Sequence, residues 1–428
     1  MKPYLLAVMS LSALLLNSQL TQTPLMANLV KSNDPVATET SISVAELQYQ
    51  INIERMRQHV YDLASPKMRG RDVGSDEGAR AIAYIEDEFK AYGLKPWFGD
   101  DYLQPITTGA GANVAALLPG SDPTRRHELV LVTAHHDHLG IREGLIYPGA
   151  DDNISAVALM LETARILAKH PNTVKRSILF ISFDAEEKPE GRTDEKGSMF
   201  FVSQLSKDQR QNIALMIGMD LMAGEIIPGL PGALFVLGSE KSRHLSRLIQ
   251  GRTPIDGLRP LPIGLSMVEA VPYCPWCERP VSDYDSFRQA DIPFVFLSTG
   301  RSQYYHTPED TPASLHYDKL GRNAAYLLDL TLGAANELRK IDDYDHDARD
   351  QKMDIAGAAS LLGGVLNQPP QDIRDDTLKN LHKAQVTVAE FGEKSDPLSW
   401  FEYRRLQSIS LRVQCAAARP SWKICNWL

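Results

Sequence analysis

Apolar positions along the chain follow two alternating patterns. Leu47, Ile51, Ile53, Met56, Val60 and Leu63 recur at helical spacing, which predicts a helix over residues 44–63. Ala79, Ile82, Ile85 and Phe89 share one face and predict a second helix over 75–92, with Ser75 as its N-cap and Asp76 and Glu77 in its first turn. From there short apolar runs at 114–118, 129–134, 178–183, 214–219, 234–237 and 294–297 alternate with amphipathic stretches, among them 155–168 and 319–338. Near-continuous apolar runs separated by helices read as strands buried on both sides. The expected fold class is α/β, with a mostly parallel mixed central sheet and helices on both faces.

The pattern changes at both ends. Met1-Lys2, an apolar run over 4–16 and the small-residue site Leu25-Met26-Ala27 have the layout of a secretory signal peptide, so residues 1–27 are expected to be removed on export. The run is short for a bilayer span, and no stable membrane insertion is expected after cleavage. Residues 28–45 are polar and unpatterned and read as a linker, leaving 46–341 as the main domain. After the acidic run Asp342-Asp343-Tyr344-Asp345-His346-Asp347 the pattern is helical again, broken at Pro369-Pro370, so 342–428 reads as a helical C-terminal extension.

Composition narrows the function classes. The 54 acidic against 45 basic residues leave a formal charge of −9, which argues against a nucleic-acid partner, since such a protein shows a basic face. The four cysteines, Cys274, Cys277, Cys415 and Cys425, suit two local disulfides, 274–277 and 415–425, in an oxidising compartment, periplasmic or extracellular. A four-cysteine zinc site is the rival, disfavoured because the second pair lacks finger-like spacing. A redox pair is disfavoured because Cys274 and Cys277 sit in a Pro-rich loop rather than at the head of a helix.

The candidate chemistry gathers at strand ends. The run 129–134 leads into His135-His136-Asp137-His138, and Gly149-Ala150-Asp151-Asp152-Asn153 stands at the mouth of the next helix. The run 178–183 ends in Asp184-Ala185-Glu186-Glu187, and 214–219 ends in Asp220. In an open α/β sheet the ligand site lies at the carboxyl ends of the strands, so these clusters are expected to converge. Burying unpaired carboxylates is costly, and a cation is the economical remedy. Imidazole with carboxylate suits zinc, with cobalt or manganese compatible on ligand grounds. One divalent ion takes three or four protein ligands, so five or six candidates imply two ions sharing a bridging carboxylate.

The set His135-x-Asp137, Gly149-Ala150-Asp151-Asp152-Asn153, Glu186-Glu187, Asp220 and Tyr305-His306-Thr307-Pro308-Glu309-Asp310-Thr311 resembles the co-catalytic dizinc aminopeptidases. That family also includes glutamate carboxypeptidase-like enzymes and glutaminyl cyclases. The resemblance covers roughly residues 50–340 and extends to Gly70-Arg71 and Gly197-Ser198. It implies a zinc exopeptidase fold, peptide substrates and two Zn²⁺ per chain. His135 and Asp220 would hold one ion, Glu187 and His306 the other, and Asp151 would bridge them ahead of a cis peptide to Asp152. Asp137 would orient His135, Glu186 would be the general base, and Tyr284, with Tyr273 second, would stabilise the oxyanion. The mechanism implied is hydrolysis of the N-terminal peptide bond by a water shared between the ions.

Other residues receive plainer expectations. His136 is structural or lines the pocket, Asp184 is an acid at a helix edge or supporting a ligand rather than a ligand itself, and His138 is left off the metals because the ligand set is complete without it. Asp152 caps the following helix, Asp310 caps a turn or orients His306, and His59, His170 and His244 lie at the surface. The chain departs from the family in its polar insertion at 188–196, expected at the rim of the site. Three other readings compete with the aminopeptidase: a glutaminyl cyclase, an acidic-dipeptide carboxypeptidase and a non-catalytic zinc domain. The presence of both His135 and Asp220 weighs against the first. No basic pocket is identifiable for the second, and a free Glu186 beside a ligand weighs against the third.

Overall fold

The computed structural model describes residues 42–106, 111–187, 196–269, 282–371 and 373–418. The expected signal peptide and most of the linker, together with Tyr273, Cys274, Cys277 and Cys425, lie outside the described residues. The described residues from Ile42 onward belong to one compact unit.

Eleven strands are described: β1 (Lys95–Pro96), β2 (Leu103–Pro105), β3 (Ala112–Leu118), β4 (Leu129–His135), β5 (Gly140–Arg142) and β6 (Leu145–Tyr147), then β7 (Ser177–Phe183), β8 (Ile213–Asp220), β9 (Ala233–Leu237), β10 (Arg259–Pro262) and β11 (Phe294–Ser298). Nine form one sheet in the order β1-β3-β7-β4-β8-β11-β9-β10, with β2 also on β3, while β5 and β6 make a separate hairpin. The four central strands β7, β4, β8 and β11 run parallel, and their outer neighbours β3 and β9 are antiparallel to them. All six predicted apolar runs are strands of this sheet. The strands missed are only two to four residues long, too short to carry a periodic signal.

Parallel central strands bring their carboxyl ends to one edge. His135 pairs in register with Phe183, and Asp220 with Ser298. Side-chain alternation then divides the core into two layers. Val130, Val132 and Ala134 of β4 pack in a layer with Val60, Phe89, Leu161 and Leu327, while Leu129 and Leu131 face the other layer with Phe201 and Phe287. The second layer also contains Leu362, Val388, Leu406 and Val413, from helices Gln351–Asn367, Asp375–Gly392 and Trp400–Ala418. The C-terminal helices therefore help to cover one face of the sheet. No described helix is long and apolar enough to cross a membrane.

The helix Asp76–Ala91 starts where expected, with the Ser75 hydroxyl accepting from the Gly78 amide. The helix predicted over 44–63 is two helices, Val44–Gln48 and Ile53–Leu63. Asn52 interrupts it: its side chain accepts from the Arg55 amide at 2.9 Å, and its own N–H donates to the buried Glu162 at 2.7 Å. A hydrogen-bonding side chain at a competing cap overrides the apolar period.

Candidate metal centre

The strand ends deliver the predicted side chains to one place. His135 is the last residue of β4, Asp220 the last of β8, and Glu186 and Glu187 follow β7 by three and four residues. The chain turns sharply at these exits. Ala185, Leu221 and His306 have φ of +60°, +57° and +57°, a left-handed conformation uncommon for residues with a Cβ and costing about 1–3 kcal/mol each. Surrounding contacts must hold them there.

Those contacts can be named. The carboxylate of Asp137 accepts from the consecutive amides of Glu186 and Glu187, both at 3.0 Å, fixing the turn that carries them. Its Oδ1 also lies 3.6 Å from His135 Nδ1, a ring nitrogen 3.3 Å from the Asp137 carbonyl oxygen. Asp310 does the same for the next loop, accepting from the amides of Asp151 at 2.8 Å and Asp152 at 3.1 Å. It anchors that backbone rather than His306. The fully buried Arg71 donates to the carbonyls of Leu63, His136, Pro148 and Gly149, tying the two loops together.

Asp152, not Asp151, lies between the histidines. His135 Nε2 is 3.4 Å from Asp152 Oδ1 and 3.6 Å from Asp220 Oδ1. His306 Nε2 is 3.1 Å from Asp152 Oδ2 and 3.0 Å from Glu187 Oε1. Two clusters of donor atoms, His135-Asp152-Asp220 and His138-Asp152-Glu187-His306, thus share Asp152, with atoms within 4.8 Å of one another in each. The Asp151 carboxylate turns elsewhere, Oδ1 accepting from the Ala223 amide at 2.8 Å, and lines a separate cavity of about 580 Å³. The cis peptide joins Asp152 to Asn153 instead of preceding Asp152. Adjacent residues of a non-helical segment project to different sides, so only one of the pair can face both imidazoles. The doublet itself does not say which.

The donor set fits a cation. Asp152 Oδ2 and Asp220 Oδ1 are buried and make no hydrogen bond among the described residues. Burial pushes Asp220 up to about 6, with the charge of Asp152 adding to it. Against burial, the carboxylates of Asp137, Asp152 and Asp220 hold the His135 imidazole well above its ordinary value, and Asp152 and Glu187 push His306 up to about 10. Several carboxylates competing for the protons of a few histidines form a site short of positive charge, which divalent ions supply.

Glu186 stands beside His135 and Glu187, and the three form a further group of donor atoms within 4.8 Å of one another. Burial pushes its carboxyl up to about 8, opposed by Lys196, whose Nζ donates to Glu186 Oε1 at 2.8 Å. Lys196 is the one described residue of the polar insertion, whose residues 188–195 lie outside the described residues, and nothing in its composition marks a member that turns inward. Tyr284 is buried, stacked on Phe294 and tilted against Phe296, with its hydroxyl 3.4 Å from Glu269 Oε1. The phenol is thus directed at Glu269. Beside Asp220 lies a cavity of about 170 Å³ with apolar walls, Leu221, Phe235 and Phe296 from the sheet end and Leu361 and Val413 from the C-terminal helices.

The histidines divide unevenly. His136 is buried against Ser182 Oγ at 2.9 Å, as a structural residue should be. Asp184 is structural too, accepting from the amides of Ala112 and Ala185. His59, expected at the surface, is buried beside Tyr84, with Nδ1 2.8 Å from its hydroxyl.

The sequence model of peptidase family M28 matches residues 113–331, about half of the chain. An uncharacterised protein, YfbL of Escherichia coli K12, is 28% identical over 261 residues, covering 57% of this chain and 76% of that protein. The aminopeptidase YwaD of Bacillus subtilis is 34% identical over 120 residues, 28% of this chain and 24% of that protein, so only a quarter of that relative is spanned. In fold, the chain resembles the LapA aminopeptidase of Legionella pneumophila, with a TM-score of 0.55 and 19% identity over 76% of this chain and 81% of that one.

Proposed function

This chain belongs to peptidase family M28, a metallo-exopeptidase by that membership, and on this premise we propose that it is an exported dizinc aminopeptidase. The observation that carries the reading is the sharing of Asp152 between two donor clusters, with the carboxylate of Glu186, which accepts from Lys196, beside them. His135, Asp152 and Asp220 would hold one zinc, and Asp152, Glu187 and His306 the other. When bound, such a pair supplies Lewis acidity and lowers the pKa of a water held between the ions.

The residues of the chain then have distinct tasks. Glu186 takes the proton of the attacking water and hands it to the departing amine. Asp137 keeps Glu186 in reach by fixing its amide, and Lys196 favours its charged form. The acidic surroundings attract the free amino terminus of a peptide. The apolar cavity beside Asp220 accepts the side chain of the N-terminal residue, which favours neutral or apolar ones. Export, with removal of residues 1–27 and pairing of the cysteines, completes the proposal on the strength of the sequence.

The test is an assay of the mature protein on leucyl anilide, the same peptide with a free or an acetylated N-terminus, and an N-terminal glutamine peptide, each with and without chelator. Chelator-sensitive cleavage of free N-termini supports the reading. Turnover of blocked peptides alone, or cyclisation without hydrolysis, removes it.

A further inference from the structure

The two donor clusters are unequal. One contains three residues, His135, Asp152 and Asp220; the other contains four, because His138 joins Asp152, Glu187 and His306. His138 Nδ1 lies 3.2 Å from Glu187 Oε1 and 4.0 Å from Asp152 Oδ2, beside the 3.0 and 3.1 Å separations of His306 Nε2 from the same two carboxylates. Ligands about 2.0–2.1 Å from a tetrahedral zinc stand roughly 3.3–3.4 Å apart, the spacing about which these distances scatter.

Two further observations concern the ring itself. His138 is only 1% exposed, and neither of its nitrogens makes a hydrogen bond among the described residues, even to Glu187. A buried polar atom left unsatisfied is destabilising, so the arrangement calls for a partner. Space for the ring is also specified by the chain: Gly149 has φ +59°, and a Cβ there would stand 2.4 Å from His138 Cγ.

We propose that His138 is a fourth protein ligand to the ion held by Asp152, Glu187 and His306. The inference rests on the dinuclear reading above. With His138 this ion would have four protein ligands against three for the other, and would take the shared water as a fifth ligand. The His138 position is therefore the more tightly held of the two, and the His135–Asp220 position the more readily exchanged.

The experiment is a graded chelator titration of the zinc-loaded protein, with metal per chain read by mass spectrometry and the cobalt-substituted protein read by visible absorption. The wild type is expected to lose its two ions in separate steps. In His138→Ala, and in His138→Gln, which preserves most of the volume, the late step should move at least about tenfold toward lower chelator while the early step stays. The cobalt absorption of the late step should change with it. Late steps unchanged in both variants overturn the proposal while leaving two ions in place. A wild-type chain that takes up one zinc overturns the dinuclear reading and His138 with it.

Discussion

Asp310 accepts a hydrogen bond from the backbone amide of Asp152 at 3.1 Å, through a carboxylate whose other oxygen takes the Asp151 amide at 2.8 Å. A residue 158 positions away thereby fixes the carboxylate that faces both His135 and His306. Asp310→Ala should weaken zinc binding by about 10–100-fold, the usual effect of losing a group that orients a ligand. Asp310→Asn, which keeps one acceptor, should lose less. Competition with a fluorescent zinc indicator measures both, and equal affinities in all three proteins would show that the anchor is dispensable.

The assignment of Asp152 over Asp151 makes a direct contrast. Asp152→Asn should lower zinc content below two per chain and reduce kcat/KM by about 10³-fold or more, since removing a shared ligand disturbs both positions. Asp151→Asn should keep both ions and stay within about tenfold of the wild type, because the Asp151 carboxylate meets the Ala223 amide instead. Metal analysis and leucyl-anilide kinetics on the pair settle it, and the reverse pattern would restore Asp151 as the bridge.

The pH dependence of stability has a definite sign. Burial raises Glu186 to about 8, Asp151 to about 7 and Asp220 to about 6, so the metal-free folded chain holds protons that the unfolded chain releases. A raised folded pKa contributes stability that is present at low pH and lost as pH rises through it. His306, raised to about 10, acts in the same direction above its ordinary 6.5. Zinc supplies the missing positive charge and binds the deprotonated ligands. The rise in Tm on adding zinc should therefore grow between pH 5 and pH 8, as measured by differential scanning fluorimetry. An increment that is constant or shrinks over that range would contradict the charge balance described.

Val413 tests the cavity beside Asp220. It lies on the helix Trp400–Ala418, beyond the residues matched by the family model, yet lines the same cavity as Leu221 and Phe296. Val413→Trp should lower kcat/KM on phenylalanyl and leucyl anilides by about 10–200-fold while sparing alanyl anilide, as expected from changing a few methylenes' worth of space. A uniform loss on all three substrates would mean that the cavity does not receive the substrate side chain.

The central strands were legible in the sequence because a strand buried on both faces carries a nearly continuous apolar run, and β4, β7, β8 and β11 contain such runs at 129–132, 178–181, 214–219 and 294–297. The acids and histidines at their ends followed from the same pattern, since nothing apolar belongs there. What the sequence could not carry was orientation. Asp151 and Asp152 are chemically identical neighbours, and only the Asp310 contacts and the turn of the backbone decide which one faces the site. His138 looked superfluous because ligands were counted by type, whereas its role depends on a space that Gly149 leaves open. Lys196 and Arg71 act through contacts with Glu186 and with four distant carbonyls, and such pairings leave no local periodicity.

The most direct test of the whole account is zinc content and turnover measured together in Glu186→Gln. The account predicts two zinc ions per chain, as in the wild type, with kcat on leucyl anilide lower by about 10²–10⁴-fold, the range expected for loss of a general base. Full activity in that variant, or a single zinc in the wild type, would contradict it.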